Sequence, residues 1–327
     1  MKILLCIRDD YLSNPAGDTT LALQTAKYLR AKGLTVTVNC GQISDYSDYD
    51  IIHLFNLTRI SETYEYFWKA KRQNKTMVIT PIYWDLSRFY RLSKNAGALR
   101  EWEAYAPYRR EILNGCGAIY PTSQMERELI GREYGALLPQ IVVHCGIDLS
   151  KLTDGMPTPT ESGNYILCAA RVCPRKNQLA LARATHRLGV RLILVGKANN
   201  RSYLDQCLVY ENVLYQGFQP FQKLLPLYKN ARLHVLCGFV ETPGLANLEA
   251  AACGCNILST AEGSAGEYFE DMALYCNPYD EMDVLKKVEA GLARNQQPRL
   301  KAHILKNFCL TRCMEPLYLS YRSLQTN

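Results

Sequence analysis

Long apolar runs are missing from this sequence. No uninterrupted stretch reaches the roughly 20 residues that cross a bilayer. The apolar start, Ile3 to Ile7, is broken at once by Arg8, Asp9 and Asp10. It is too short for a secretory leader and reads as a buried first strand, so a cytoplasmic location is expected. Metal-ligand spacing is missing too. The chain has 13 cysteines, but its close pairs, Cys253-Gly254-Cys255 and Cys309-x3-Cys313, lack zinc-site spacing and have no His/Cys cluster beside them. An odd number of thiols in apolar or small-residue settings, such as Cys6, Cys168, Cys237 and Cys253, reads as free and buried in a reducing compartment. No metal and no resident cofactor are expected. The glycine signatures GxGxxG and GxxxxGK[ST] are absent, so neither NAD nor ATP has a motif here. Asp48-Tyr49-Asp50 mimics a metal-binding DxD, but it precedes an apolar strand instead of following one and reads as loop.

What is present is an ordinary globular composition, 48% hydrophobic over 327 residues, enough for two cores. The net charge is +7 and is unevenly placed. From Arg294 onward six basic residues (Arg294, Arg299, Lys301, Lys306, Arg312, Arg322) meet one acid, Glu315, so +5 of the +7 lies there. That is thinner than a nucleic-acid face, so no nucleic-acid partner is expected. It suits a solvated helix surface, or weak peripheral contact with the anionic inner face of a membrane.

Periodicity gives strand–helix alternation. Strands are expected at 2–7, 35–38, 51–55, 77–80, 118–121 and 140–143, with helices at 20–32, about 61–72 and 123 to about 134. A glycine-containing turn, Asn14 to Thr19, follows the first strand. The stretch 151–163, KLTDGMPTPTESG, has turn residues without apolar periodicity and reads as a linker. Beyond it the alternation restarts: strands at 165–170, 191–195, 213–215, 233–236 and 255–258, with helices at 178–187, 203–210, 221–230 and after Gly244. Helices at about 282–293, 297–307 and 311–324 close the chain. Alternation on both sides of one linker implies an α/β protein of two doubly wound, Rossmann-like domains, 1–150 and 151–310, with ligands expected in the cleft between them. Residues 82–115 mix aromatic and basic side chains with little apolar periodicity. They fit either a helical excursion over the surface or a lip for an acceptor bearing hydroxyls or negative charge.

Candidate chemistry concentrates in the second half. The stretch ETPGLANLEAAACGCNILSTAEGSAGE runs from Glu241 to Glu267. It enters a helix through Gly244 and Leu245, where unpaired N–H groups and the helix dipole can hold an anion. Glu241, Glu249 and Glu267 around it suit hydroxyl groups. One anion with several hydroxyls describes a nucleotide sugar, although a capped helix in any α/β domain would look the same. Arg171 and Lys176 follow the strand 165–170 and precede a helix, which suits a diphosphate: one planar fork and one point charge. His53, on an apolar strand, reads as a core histidine.

Arg171-x4-Lys176, the Glu-x7-Glu pair Glu241/Glu249, Gly263-Ser264-x2-Glu267 and Gly146-Ile147-Asp148 resemble the retaining GT-B glycosyltransferases of the large bacterial family 4, the group 1 glycosyltransferases. The resemblance is strong over 165–293, fair over 1–54 and 118–148, and weak over 55–117. It implies transfer of a sugar from a UDP- or GDP-linked donor to a glycan, lipid-linked or other hydroxyl acceptor. By that resemblance Arg171 and Lys176 hold the diphosphate in place of a metal. Glu241, with the amides near Gly244 and Leu245, holds the sugar, and Glu249 accepts from the ribose. Gly217 and Phe218 lie by the base, Gly17 is the close-approach glycine, and Glu267 is a second-rank donor contact. The last helix, about 311–327, packs back on the first domain. The chain departs from the pattern where relatives carry a histidine after the fourth strand: here Thr80-Pro81-Ile82-Tyr83-Trp84-Asp85 has none. Two rivals stay open, a nucleotide-sugar epimerase on the same architecture and a binding module that has lost turnover.

Overall fold

The computed structural model describes residues 1–135, 139–152 and 163–325. Most of the expected linker, 153–162, lies outside the described residues. The chain divides into two compact units, Met1–Gly146 together with the chain from Leu310 onward, and Ile147–Cys309.

The first unit begins with β1 (Lys2–Cys6), α1 (Gly17–Ala31), β2 (Thr35–Asn39), β3 (Ile51–Phe55), α2 (Ile60–Arg72) and β4 (Thr76–Thr80). After α3 (Ser87–Leu92), α4 (Ala96–Ala104) and α5 (Ala106–Gly115) come β5 (Ala118–Ile119) and α6 (Gln124–Tyr134). The sheet order is β2-β1-β3-β4-β5, and every pairing is parallel. Parallel strands covered on both faces need near-continuous apolar sequence, as in Ile3-Leu4-Leu5-Cys6 and Ile51 to Phe55, all buried.

Local chemistry sets the helix ends. Ser123 caps α6 by accepting from the Glu126 N–H, and Gly135 closes it in the left-handed region. Glu126 is fully buried yet saturated. Its Oε1 accepts from the Tyr83 N–H at 2.6 Å, and its Oε2 accepts from the Thr122 N–H and hydroxyl, each at 2.6 Å.

Two expectations need correcting here. Helix α1 starts at Gly17, not Thr20, because Ala16 already has the extended geometry of an N-cap. The strand expected at 140–143 reduces to one bridge, Ile119 to Gln140, because Pro121 has no N–H to extend the ladder. The segment 82–115 is the helical excursion α3–α5. Its anchor is Arg109, 1% exposed, whose guanidinium stacks 3.6 Å from the Trp102 ring and donates to the Leu57 and Trp102 carbonyls.

The second unit has β6 (Tyr165–Ala169), α7 (Gln178–Arg187), β7 (Arg191–Val195), α8 (Arg201–Leu208), β8 (Val213–Tyr215), α9 (Phe221–Asn230), β9 (Leu233–Leu236) and α10 (Leu245–Ala252). It continues with β10 (Asn256–Thr260), α11 (Ala265–Phe269), β11 (Leu274–Cys276), α12 (Glu281–Ala293) and α13 (Pro298–Asn307). Strand β11 is a short edge strand that the periodicity did not announce. The order is β11-β10-β9-β6-β7-β8, again all parallel. The chain runs outward from β6 to β8, then returns to β9 on the other side of β6. The switch point of this sheet therefore lies between the carboxyl ends of β6 and β9, where open α/β sheets place ligands.

The last helix, α14 (Leu310–Gln325), belongs to the first unit. It buries Met314, Leu317 and Tyr321. Lys32 pairs with Glu315 at 2.8 Å, Ser320 shares a hydrogen bond with Tyr120 at 2.9 Å, and Tyr321 meets the Nδ1 of His53. His53 also bonds the Thr80 hydroxyl at 2.8 Å. Burial drives its pKa down to about 3, so it is a neutral core histidine.

Candidate functional site

The loops after β6 and β9 meet at the switch point of the second unit. After β6 the chain passes Arg171 and makes a short 3-10 turn, Pro174–Lys176. Asn177 follows in the left-handed region, with its amide donating to the Cys237 and Pro278 carbonyls at 3.3 and 3.0 Å. That clamp fixes the Lys176 backbone against the loop leaving β9. There the Phe239 N–H donates to the Arg175 carbonyl at 2.9 Å.

Lys176 and Glu241 are thereby brought together. The ammonium donates to Oε1 at 2.6 Å and Oε2 at 2.7 Å. The side chains are 14% and 4% exposed, so this is a desolvated pair. Burial pushes the Lys176 pKa down, opposed by the Glu241 charge. Two of the three ammonium donors go to Glu241, leaving one for an anion.

Glycine makes room for Glu241, for its backbone and for its carboxylate. A Cβ on Gly263, at φ +118°, would fall 1.9 Å from the Glu241 carbonyl oxygen, and these two residues form a parallel bridge. A Cβ on Gly238 would sit 2.9 Å from Glu241 Oε1. From Glu241 the chain crosses a cis Thr242–Pro243 peptide to Gly244, at φ +88°, which starts α10 with no side-chain cap. The first amides of α10, from Leu245, are left for a ligand or water.

Arg171 is partly buried and accepts from the Gln178 side-chain amide through its carbonyl at 2.8 Å. Gly217 and Phe218 follow β8. Gly217 accepts from the Gly196 N–H at 2.8 Å, and the Phe218 ring is 59% exposed. Glu267 is in the first turn of α11, and its N–H donates to the Ser264 carbonyl. Glu249 is on α10. Its Oε2 accepts from the buried Tyr228 hydroxyl at 2.9 Å. Burial raises its pKa to about 7, against downward pulls from Tyr228 and Lys151. Gly17 belongs to the first unit, as the exposed first residue of α1.

Sequence reasoning missed a polar relay beneath α10. The Ala169 N–H donates to His234 Nε2 at 3.2 Å, so His234 carries its proton on Nδ1 and donates to Asn247 Oδ1 at 2.7 Å. The Asn247 amide donates to Ser259 at 3.1 Å. All three side chains are buried, and burial lowers the His234 pKa to about 4. Nothing in the strand LHVL marks its histidine as a relay; the one available signal was a histidine and an asparagine at buried positions of adjacent elements. Two more buried atoms near the centre, Ser264 Oγ and Gln178 Oε1, have no hydrogen-bond partner among the described residues. Such groups are costly unless water or a ligand meets them.

A second missed cluster sits at the switch point of the first sheet, between β1 and β3. Arg8, 4% exposed, donates to Asp18 at 3.0 Å, Asp10 at 2.6 Å, the Asn14 carbonyl at 2.5 Å and the Thr19 hydroxyl at 2.8 Å. Asn56 also donates to Asp18 at 2.9 Å, and Arg59 to Asp10 at 3.0 Å. Burial works upward on Asp10, but hydrogen bonds from Asn14 and Arg8 and the nearby Arg59 charge hold it at about 2. The turn before Gly17 is thus clamped by one arginine. An arginine directly after a buried strand was the legible clue.

Two parallel, doubly wound α/β units in one chain define the GT-B fold. The whole chain superposes on sucrose-phosphate synthase from Thermosynechococcus elongatus, with TM-score 0.82 and 17% identity over 100% of this chain and 99% of that one. It superposes on HepE of Anabaena, crystallised with UDP and glucose, with TM-score 0.75 and 15% identity over 99% and 100%. Residues 157–304 match the family model of the group 1 glycosyl transferases. Consistent with it, a D-inositol 3-phosphate glycosyltransferase of Xylanimonas cellulosilytica is 29% identical over 178 residues, 47% of this chain and 42% of that protein. The chain thus aligns with less than half of that relative's length. No helix among the described residues is long and apolar enough to cross a membrane.

Proposed function

We propose that the protein is a glycosyltransferase that moves a sugar from a nucleoside-diphosphate sugar to a hydroxyl acceptor, with retention and without a metal. The observation that carries this reading is the desolvated Lys176–Glu241 pair beside the uncapped start of α10, at the switch point of the family-matching unit. A spare ammonium donor and open helix amides make a built receptor for a diphosphate. Arg171 and Lys176 hold that diphosphate and stabilise it as it leaves. Glu241 orients the lysine and, with the amides of Gly244 and Leu245, bounds the sugar. Glu249 accepts from the ribose, and Gly217 and Phe218 flank the base. Glu267 supports the turn at Ser264. Gly17, in the Arg8-clamped turn, gives close approach on the acceptor side, and residues 82–115 select the acceptor. As the bond from the anomeric carbon to the diphosphate oxygen breaks, the acceptor oxygen bonds to that carbon from the same face. Its proton passes to the departing diphosphate, so no protein base is needed. HepE's complexes with UDP and glucose and with UDP-glucose favour a uridine donor. Action inside the cell, with weak peripheral membrane contact through the basic C-terminal stretch, completes the reading.

A thermal-shift screen of UDP, GDP and their sugars tests it. Ligand at a hundredfold its Kd adds about 2.7 kcal/mol, a rise of a few degrees. Arg171→Ala is expected to weaken donor binding by at least about tenfold, the worth of a hydrogen bond to a charged group. Unchanged affinity and turnover in both Arg171→Ala and Lys176→Ala would sink the diphosphate assignment. Nucleoside diphosphate released only with acceptor marks a transferase, C2 inversion an epimerase, and binding alone a module without turnover.

A further inference from the structure

We infer that Tyr228 is a positioning residue for nucleotide recognition: its hydroxyl occupies Oε2 of Glu249 and leaves Oε1 to accept from a pair of ligand hydroxyls. The inference rests on the proposed reading of Glu249 as the ribose acceptor. The geometry is specific. Tyr228, on α9, is fully buried, and its ring meets His234 edge-on with centroids 5.4 Å apart. Its hydroxyl is 2.9 Å from Glu249 on α10. Since His234 is itself pinned to Ala169 and Asn247, the relay beneath α10 fixes the tyrosine, and the tyrosine fixes the carboxylate.

The consequence is chemical as well as geometric. A carboxylate accepts two hydroxyl hydrogen bonds well, and a protonated carboxyl gives one of its oxygens over to donating. Burial pushes the Glu249 pKa up to about 7, while the Tyr228 hydrogen bond and the Lys151 charge pull it down. Lys151 lies on the 3-10 turn Leu149–Lys151, and Cys253, at the end of α10, also faces the carboxyl; its thiol is pushed up to about 12, first by burial and then by the Glu249 charge. Without the tyrosine the balance moves toward the neutral acid at the pH where the donor must bind.

The test is UDP and GDP binding by calorimetry from pH 5.5 to 9 for wild type, Tyr228→Phe and Glu249→Gln. The glutamine variant carries the titration of the nucleotide phosphate alone and serves as the baseline. Against it, wild-type affinity is expected to fall as pH drops through about 7, because only the ionised carboxylate accepts fully. In Tyr228→Phe the same fall begins at least about one pH unit higher, so binding near pH 7 is about tenfold weaker and converges on wild type by pH 9. A uniform loss at every pH, or no change, overturns the inference and leaves the proposed function standing. No binding of either nucleotide by wild type overturns both. Should Tyr228→Phe not fold, wild type grown with 3-fluorotyrosine, whose hydroxyl is the stronger donor, replaces it. The fall in affinity is then expected to move to lower pH, and an unmoved fall overturns the inference.

Discussion

At the scale of single residues, Glu241 and Lys176 should be judged as a pair. Glu241→Ala leaves an ammonium that is 14% exposed without its counter-charge, a defect that costs about 3–5 kcal/mol in buried pairs. Replacing both, as Lys176→Met with Glu241→Leu, removes both desolvation penalties and is expected to recover most of that stability. The double variant should then be folded and unable to bind a nucleoside diphosphate. Urea unfolding checks the first two figures, and the nucleotide thermal shift checks the third. A loss below about 1 kcal/mol for Glu241→Ala would show that the pair is not the desolvated centre described. Both residues were legible because each stands in the loop that leaves a buried strand, β6 for Lys176 and β9 for Glu241. Their mutual bond was not, since it depends on Asn177 and on the two glycines Gly238 and Gly263, which clear space no sequence pattern announces. The surroundings of Glu249 were not legible either. Seven intervening residues include the turn through Gly244, and Glu249 faces α9 and Tyr228.

At the scale of elements, α10 is held by chemistry beneath it. The relay Ala169–His234–Asn247–Ser259 ties β6, β9, α10 and β10 into one block. Asn247→Leu strands the Nδ1–H of His234 and is expected to cost about 1–3 kcal/mol. The same histidine makes stability depend on pH. Its folded pKa, about 4, lies below its ordinary value of 6.5, so the unfolded chain binds the proton more tightly between those values. Stability present above pH 6.5 is therefore lost as pH falls toward 4, by about 1.4 kcal/mol per pH unit. Glu249 acts in the opposite sense. Its folded pKa of about 7 lies above the ordinary 4.5, so its contribution improves as pH falls from 7 to 4.5. Denaturant melts of wild type, His234→Gln and Glu249→Gln between pH 4 and 8 separate the two. The first variant should flatten the acid loss, and the second should steepen it. The strands and helices around this block were read with small end errors because apolar period and turn residues agree there. The short β11 and the broken ladder after Pro121 escaped because neither carries enough residues for a period to show.

At the scale of the whole molecule, the alternation of strands and helices made two doubly wound units legible. The return of α14 to the first unit was not in that pattern; it came from resemblance. The reason is physical: a helix at the end of a chain is amphipathic wherever it docks. Its partners decide, and here they are Tyr28 on α1, Lys32 at the C-cap of α1, Tyr120 after β5 and His53 in β3. Removing residues from Leu310 onward would uncover the surface that buries Leu310, Cys313, Met314, Leu317 and Tyr321. The loss, on the order of 10 kcal/mol of apolar burial, matches the entire stability of a typical domain. It also leaves the Nδ1 of His53 without its tyrosine. The sheet of the second unit takes no strand or helix from the removed segment. Truncation after Cys309 is therefore expected to unfold the first unit and spare the second. Limited proteolysis with mass analysis should show loss of fragments from 1–146 and a protected core within 163–309, whereas the intact chain protects both. Equal protection of both units in the truncated chain would mean that α14 is an ornament on a core that stands without it. The milder variant Tyr321→Phe separates the two contributions. It keeps the packing and removes only the hydrogen bond to His53, so it should cost about 1–3 kcal/mol and leave the first unit folded.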